Sequence, residues 1–358
     1  MKPPSLQTIL QDFTRGIIRW SNNRIFVGCV CIAGLSVLAF TVYFGSQGFE
    51  NVDKVSFFRI ATGPTSGTYF SVGKTLASVI SHPPGAEPCE VGGRCGVPGL
   101  IAIAQTTQGS VANMRSVNAG EFESGLAQAD IVHASFWSEG AFKGETPLDR
   151  VRVIANLYRE AIHLVARYGS NIKKVEDLRD KRVSLDIPGS GTHADAVAIL
   201  EAFGLGLDDI HLREMDSSTA ADKILDDKLD AFFLISGPPS PSVADLAKRG
   251  AIRLIPIDGK PARQLIRENN FFSPFTLPAQ LYKYSGEIRT LGVGASWIVN
   301  ESVDDDLVYE ILRAFFNPAN RDWLRPTSGH ISISIDDTPI FLHPGAKRYY
   351  LEAGIIDN

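Results

Sequence analysis

The sequence has no block of basic residues, and its formal net charge is −5. It therefore lacks the electrostatic footprint of a nucleic-acid binder, and no nucleic-acid partner is expected. No period in the tens of residues is visible, which argues against a solenoid. Cysteine is scarce, with four residues in the chain. No His or carboxylate pair stands at ligand spacing near Cys89 and Cys95, so no metal site is expected. Neither Gly63…Ser66-Gly67 nor Gly189-Ser190-Gly191 has the G-x-S-x-G spacing of a hydrolase elbow. Gly67 and Gly73-Lys74-Thr75 stand one residue too far apart for a phosphate-binding P-loop. With no spaced nucleophile–base pair and no cofactor turn either, the chain is not expected to be an enzyme or to carry a cofactor.

One long apolar run is present. Ile25–Phe44 contains no charge, and at about 1.5 Å per residue it is long enough to span a bilayer core of about 30 Å. Arg15, Arg19 and Arg24 precede it, while Glu50 and Asp53 follow. The positive-inside rule then puts residues 1–24 in the cytoplasm, a membrane anchor at 25–44, and the rest outside. Thr41–Phe44 suits signal cleavage poorly, so a retained transmembrane helix is favoured over a cleaved signal. Residues 45–56 read as a linker. Outside the cytoplasm disulfides are permitted. In EPCEVGGRCGVPG the Gly-Gly between Cys89 and Cys95 suits a small closed loop, with two free thiols as the alternative.

The most informative stretch is Arg59–Ser81, RIATGPTSGTYFSVGKTLASVIS. It reads as a buried strand, a turn rich in Gly, Thr and Ser, and a helix with Tyr69, Val72, Leu76, Val79 and Ile80 on one face. The alternative to a ligand-binding turn is an ordinary strand-to-helix turn capped by Ser66 or Thr68. The same grammar returns at Arg182–Phe203, where Pro188-Gly-Ser-Gly-Thr192 leads into a helix. A helix start is partly positive and offers backbone N–H groups to an anion. Two such starts would form opposing jaws around a small polar ligand. Between and after them, strands alternate with helices. Two β-type runs flank Asn156–Glu160, one at Val151–Ala155 and one at Ile162–Arg167, and a strongly apolar-faced helix falls at Asp306–Phe316. This alternation predicts an α/β fold with mostly parallel sheets.

Taken in order, TGPTSGTYFSVGKTLA, SVANMRSVNAGE, LAQAD, LYREAIHLVA, LRDKRVSLDIPGSGT, DAFFLISGPP and HPGAKRYYLEAG resemble the TAXI family. Its members are the extracytoplasmic solute receptors of tripartite ATP-independent periplasmic (TRAP) transporters. The resemblance runs from Phe57 to Gly354. It implies a type II periplasmic binding protein fold with crossover hinge strands, residues 57–158 and 284–358 forming one lobe and 159–283 the other. It also implies a periplasmic solute-binding receptor with TRAP permease membrane subunits as partners; the anchor read at 25–44 would tether that domain to the inner membrane, a departure from the family's freely diffusing receptors. The alternative is a ligand sensor that signals to a membrane partner without transport.

Carried over position by position, the resemblance implies ligand binding by Ser66, Gly67, Thr68 and Tyr69 from the first turn, and by Asn113, Gln128, Tyr158 and Glu160 from the segments that follow. Ser190, Gly191 and Thr192 supply the second jaw. Hydroxyls and backbone N–H groups suit the carboxylate of a small carboxylate or amino acid, and Glu160 suits an ammonium. Purely structural roles are the alternative for several of these: core packing for Tyr69 and Tyr158, a helix cap for Asn113, a solvated edge for Glu160. The sequence departs from the family pattern at Pro64 and Asp186, where Gly is usual, and at Arg159, where Pro is common. Arg159 would add a positive charge near the cleft.

Overall fold

A computed structural model describes residues 55–358 except 284–285, 325–330, 332, 336–337 and 358. The expected membrane anchor at 25–44 lies outside the described residues. Among those described, no helix is long and apolar enough to cross a membrane.

The first strand and helix follow the sequence grammar closely. Strand β1 covers Ser56–Ala61 and helix α1 covers Thr68–Ile80, burying Val72, Leu76, Val79 and Ile80 as their spacing requires. After the short strands β2 (Ser81–His82) and β3 (Val97–Pro98) come β4 (Leu100–Gln105), α2 (Ser110–Asn118), β5 (Ser124–Gln128) and α3 (Ala129–Trp137). Strand β6 (Val151–Arg167) follows, then β7 (Arg182–Ser184), α4 (Gly191–Ala202), β8 (His211–Arg213), α5 (Ser217–Leu225) and β9 (Ala231–Ser236). The chain continues through α6 (Pro241–Lys248), β10 (Ile252–Ile255), α7 (Gly259–Glu268), β11 (Ser273–Leu277) and β12 (Ile288–Asn300). Helices α8 (Asp305–Phe315), α9 (Arg321–Leu324) and α10 (Pro344–Glu352) complete it.

Most strands join one mixed sheet in the order β4-β1-β5-β12-β6-β9-β7-β8, with β10 on β6 and β11 on β12. Pairing is parallel where β1 meets β4 and β5, and where β7 meets β8 and β9. It is antiparallel around β6 and β12. These two long strands link the halves of the sheet. The amino-terminal part of β6 pairs with β12, and its carboxy-terminal part, Ala161–Ala166, pairs with β9. The two runs expected at 151–155 and 162–167 are thus one strand of 17 residues. The intervening polar residues do not break it, because each finds a partner in place. Asn156 Oδ1 accepts from Ser296 Oγ at 2.9 Å, and Glu160 Oε2 accepts from Tyr69 Oη at 2.9 Å.

Each half of the sheet has apolar packing on both faces, as a parallel-rich sheet between helices requires. Phe58, Ile60, Leu76, Leu126, Trp297 and Tyr350 fill one face of the β4-β1-β5 half, and Met114, Val117, Ala127 and Ile131 fill the other. In the β9-β7-β8 half the alternation on β9 divides the residues. Phe233 joins Ile199 and Leu164, while Phe232 and Leu234 join Val243 and Leu254 on the opposite face. Cys89 and Cys95 form a disulfide, and the loop is fastened by Cys95 N–H donating to Asn320 Oδ1 at 3.0 Å.

Candidate functional site

Four helices have their cap residues in the wall of one cavity, and α5 adds its first residue, Ser217. The caps of α1, α2, α3 and α4 are Gly67, Gly109, Gln128 and Ser190, and all four residues line it. Only Ser190 caps with its side chain, accepting from His193 N–H at 3.0 Å. The first turns of α1, α2 and α3 have no side-chain cap. The alternative of a turn capped by Ser66 or Thr68 does not hold. Gly67 takes the cap position, and Thr68 already lies in the first turn, with its Oγ1 directed to Gly237 O at 3.4 Å. In α1 and α2 the uncapped first turns leave N–H groups without a side-chain acceptor, the arrangement that favours an anion; at the start of α3 the Asp130 carboxyl takes that role.

The cavity has a volume of about 60 Å³. Since about 10–15 Å³ suffices for one water, this space suits a small solute. Its walls bring together nine of the eleven expected residues: Ser66 to Tyr69 from the start of α1, Gln128, Glu160, and Ser190 to Thr192 from the start of α4. Asn113 and Tyr158 are not in the wall. Asn113 is fully buried in α2, with Nδ2 donating to Thr62 O at 2.6 Å and Leu126 O at 2.7 Å. Its Oδ1 accepts from Thr107 Oγ1 at 2.6 Å. Its amide is spent on holding β1, β5 and α2 together. Tyr158 is buried in the core beside Tyr69 and Trp297.

Arg159 also stays out of the wall. Successive residues of a strand face opposite ways, so with Glu160 turned to the cavity, Arg159 points away. Its guanidinium bonds Ser273 Oγ and Pro274 O and lies over the Phe275 ring. The expected positive charge near the cleft is therefore absent. Among the described residues the wall contains no Lys or Arg.

The wall does contain carboxyl groups. Burial pushes Glu160 up to about 8, with Asp130 adding to the shift and the Tyr69 hydroxyl opposing it. Burial likewise pushes Asp186 up to about 7, helped by Asp216 and opposed by the Ile187 amide and by Ser190 and Thr192. Asp186 has φ of 75°, a left-handed conformation that Asp tolerates better than most residues and Gly adopts freely. This is the position where a glycine would be ordinary. Tyr69 is raised well above its usual value by burial and by Glu160.

A polar chain connects these groups across the cavity. Tyr69 Oη donates to Glu160 and stands 3.4 Å from Ser110 Oγ. Ser110 Oγ donates to Gln128 Oε1 at 3.1 Å, and Gln128 Nε2 donates to Asp195 Oδ2 at 2.8 Å. The two sides also touch through their backbones, with Ala112 N–H donating to Gly189 O at 3.0 Å. Ser110 and Asp195 are not among the expected site residues, and Asp186 stands out in the sequence only as a departure from glycine. The signal for Asp195 was present in the sequence, a carboxylate four residues before Ile199 on the buried face of α4.

The model of the NMT1-like family matches residues 60–354. The chain belongs to the NMT1-like family. The matched span holds both helix-start turns and every wall residue. Among solved structures, a protein of Bordetella bronchiseptica RB50 is similar at a TM-score of 0.50 and 14% identity, over 84% of this chain and 99% of that one. PhnD1 from Prochlorococcus marinus, in complex with methylphosphonate, is similar at 0.48 and 9% identity, over 84% and 99%. A TctC solute binding protein from Polaromonas is similar at 0.44 and 13%, over 86% and 100%. At such identities the likeness of this NMT1-like chain to the Bordetella protein is one of fold, and the other two are looser.

Proposed function

We propose that this NMT1-like chain is a TAXI-type solute-binding receptor that captures a small carboxylate or amino acid outside the cytoplasm and delivers it to a TRAP-type permease. In this account residues 57–158 with 284–358 form one lobe and 159–283 the other, and they close by bending at β6 and β12. The observation that carries the account is the small cavity ringed by four helix starts, drawn from both halves of the sheet.

A solute carboxylate is met by the N–H groups of α1 and α2 and by the hydroxyls of Ser66, Thr68 and Thr192. These preformed dipoles replace water without a counter-cation. Glu160 and Asp186 face the other end of the solute. As neutral acids they hydrogen-bond a hydroxyl or carbonyl, and as carboxylates they hold an ammonium. With two carboxyls and no cation in the wall, a zwitterion or monocarboxylate fits better than a multiply charged anion. Solute bound between two lobes stabilises the closed arrangement by mass action.

The test is thermal unfolding of the full chain in mild detergent against a panel of amino acids and of mono- and dicarboxylic acids. At least one compound should raise the midpoint by several degrees at millimolar concentration. A panel without any shift, on protein with a native circular dichroism spectrum, contradicts the proposal.

A further inference from the structure

Behind the cavity wall lies a pair of acids that solute binding does not use. Asp130 is the second residue of α3 and Asp195 belongs to α4, so they come from opposite sides of the cavity. They are only 6% and 3% exposed. Gln128 Nε2, from the cap residue two before Asp130, donates to Asp195 Oδ2 at 2.8 Å and so sets Asp195 against the start of α3; the two buried acids interact there, and two carboxyls in contact share a proton on one of them. Asp130 Oδ1 is buried and has no hydrogen-bond partner within usual distance, whereas a buried carboxylate ordinarily has its oxygens satisfied.

We propose that Asp130 and Asp195 form a proton-binding site completed only when the two sides of the cavity meet, so that closure on a solute takes up one proton. The proposal rests on the solute-binding account above. The proton comes from solvent and ends on Asp195, which donates it to the Asp130 carboxylate; no other bond forms or breaks. Asp130 is the better acceptor because the amides of Asp130 and Ile131 at the start of α3 favour its charged form. Asp195 has only the Gln128 side-chain amide in support of its charge. Burial and the neighbouring Asp130 raise it well above its usual value.

The surroundings keep the site short of positive charge. On α3 itself, His133 favours an ionised Asp130. From β6, Glu160 disfavours an ionised Asp195, and Tyr69 of α1 and Tyr158 of β6 are buried around Glu160. On α4, His193 faces Glu214 at 3.7 Å rather than the pair. Gln128 Nε2, donating to Asp195 Oδ2, orients the acid without neutralising it. With both acids ionised in contact, like charges repel in a buried setting, and the two sides separate.

The test uses the full chain in mild detergent with no solute added. The hydrogen-exchange protection of the Ala112 amide, which bonds Gly189 across the same contact, is followed with pH. In the wild type it should fall about tenfold or more as pH rises from neutral into the alkaline range, as the shared proton is lost. Asp195→Asn offers Asp130 a neutral N–H donor whose proton does not titrate, and there the fall should shrink to about threefold or less. Infrared spectra should show a protonated-carboxyl band at neutral pH that survives Glu160→Gln combined with Asp186→Asn, which removes the other raised acids of the wall, and is lost when Asp195→Asn is added. Should Asp195→Asn fail to fold, the Glu160→Gln, Asp186→Asn double variant decides through that surviving band and a retained pH response. Protection independent of pH in the wild type, or a pH response abolished by Glu160→Gln alone, overturns the proposal. These readouts need no solute, so their failure is separable from an empty thermal panel.

Discussion

Glu160 has the most unusual chemistry in the wall, and its behaviour follows from burial. Its folded-state pKa of about 8 lies above the ordinary value of about 4.3. The folded protein therefore holds a proton that the unfolded chain releases across that range. Stability contributed by neutral Glu160 is fully present below about pH 4 and is lost as pH rises through about 8. Denaturation at about pH 5, 7 and 9 should show the wild type losing on the order of a few kcal/mol across the series. Glu160→Gln should remove a distinct share of that slope, because glutamine accepts the Tyr69 hydroxyl without titrating. An unchanged slope contradicts this account of Glu160. Asn113 illustrates the opposite case, a residue whose pattern suggests a ligand contact but whose bonds are all internal. Asn113→Ala leaves the buried Leu126 carbonyl without this donor, while the Thr62 carbonyl keeps Thr107 Oγ1 at 3.0 Å. One such group costs about 1–3 kcal/mol, so the variant should lose about that much in urea denaturation while still binding whatever the wild type binds.

At the scale of elements, the helix starts explain why glycine stands where it does. A Cβ on Gly191 at the start of α4 would overlap Gln128 Oε1 and lie 2.8 Å from Ser110 Oγ. Both belong to the opposite side of the cavity, so Gly191→Ala obstructs closure more than folding. Overpacking of this kind costs about 1–3 kcal/mol. The variant should therefore bind about 10- to 100-fold more weakly in calorimetry, with a native circular dichroism spectrum. Affinity equal to wild type would place the two sides apart in the bound state. The two strand–turn–helix units were legible from hydrophobic spacing and turn residues, and the structure brings both to one cavity. The continuity of β6 was not legible. Its middle residues Asn156, Arg159 and Glu160 look like a polar break and are accommodated only by partners distant in the chain. The edge strand β11, SPFTL, was hidden by Pro274, which a strand tolerates at an edge. The wall acid Asp186 was visible only as a departure from a glycine, since nothing local reveals that it is buried.

For the whole molecule, the sheet order decides how the site works. The halves carrying β4-β1-β5 and β9-β7-β8 have their own apolar packing, and β6 and β12 join them through antiparallel pairing. Two packed bodies joined by a few strands move against each other at low cost, as hinge closure requires. Local spacing revealed both jaws but not that four helix starts would converge. The caps of α2 and α3 reach the cavity only because β4 and β5 flank β1 in the sheet. The central claim, that one solute is gripped from both sides, is tested most directly by hydrogen exchange of the full chain with and without the compound giving the largest thermal shift. Amides at Thr68–Tyr69 and at Thr192–His193 should gain protection together, along with Ala112. Protection confined to one of the two helix starts, or spread over residues far from both, would contradict it.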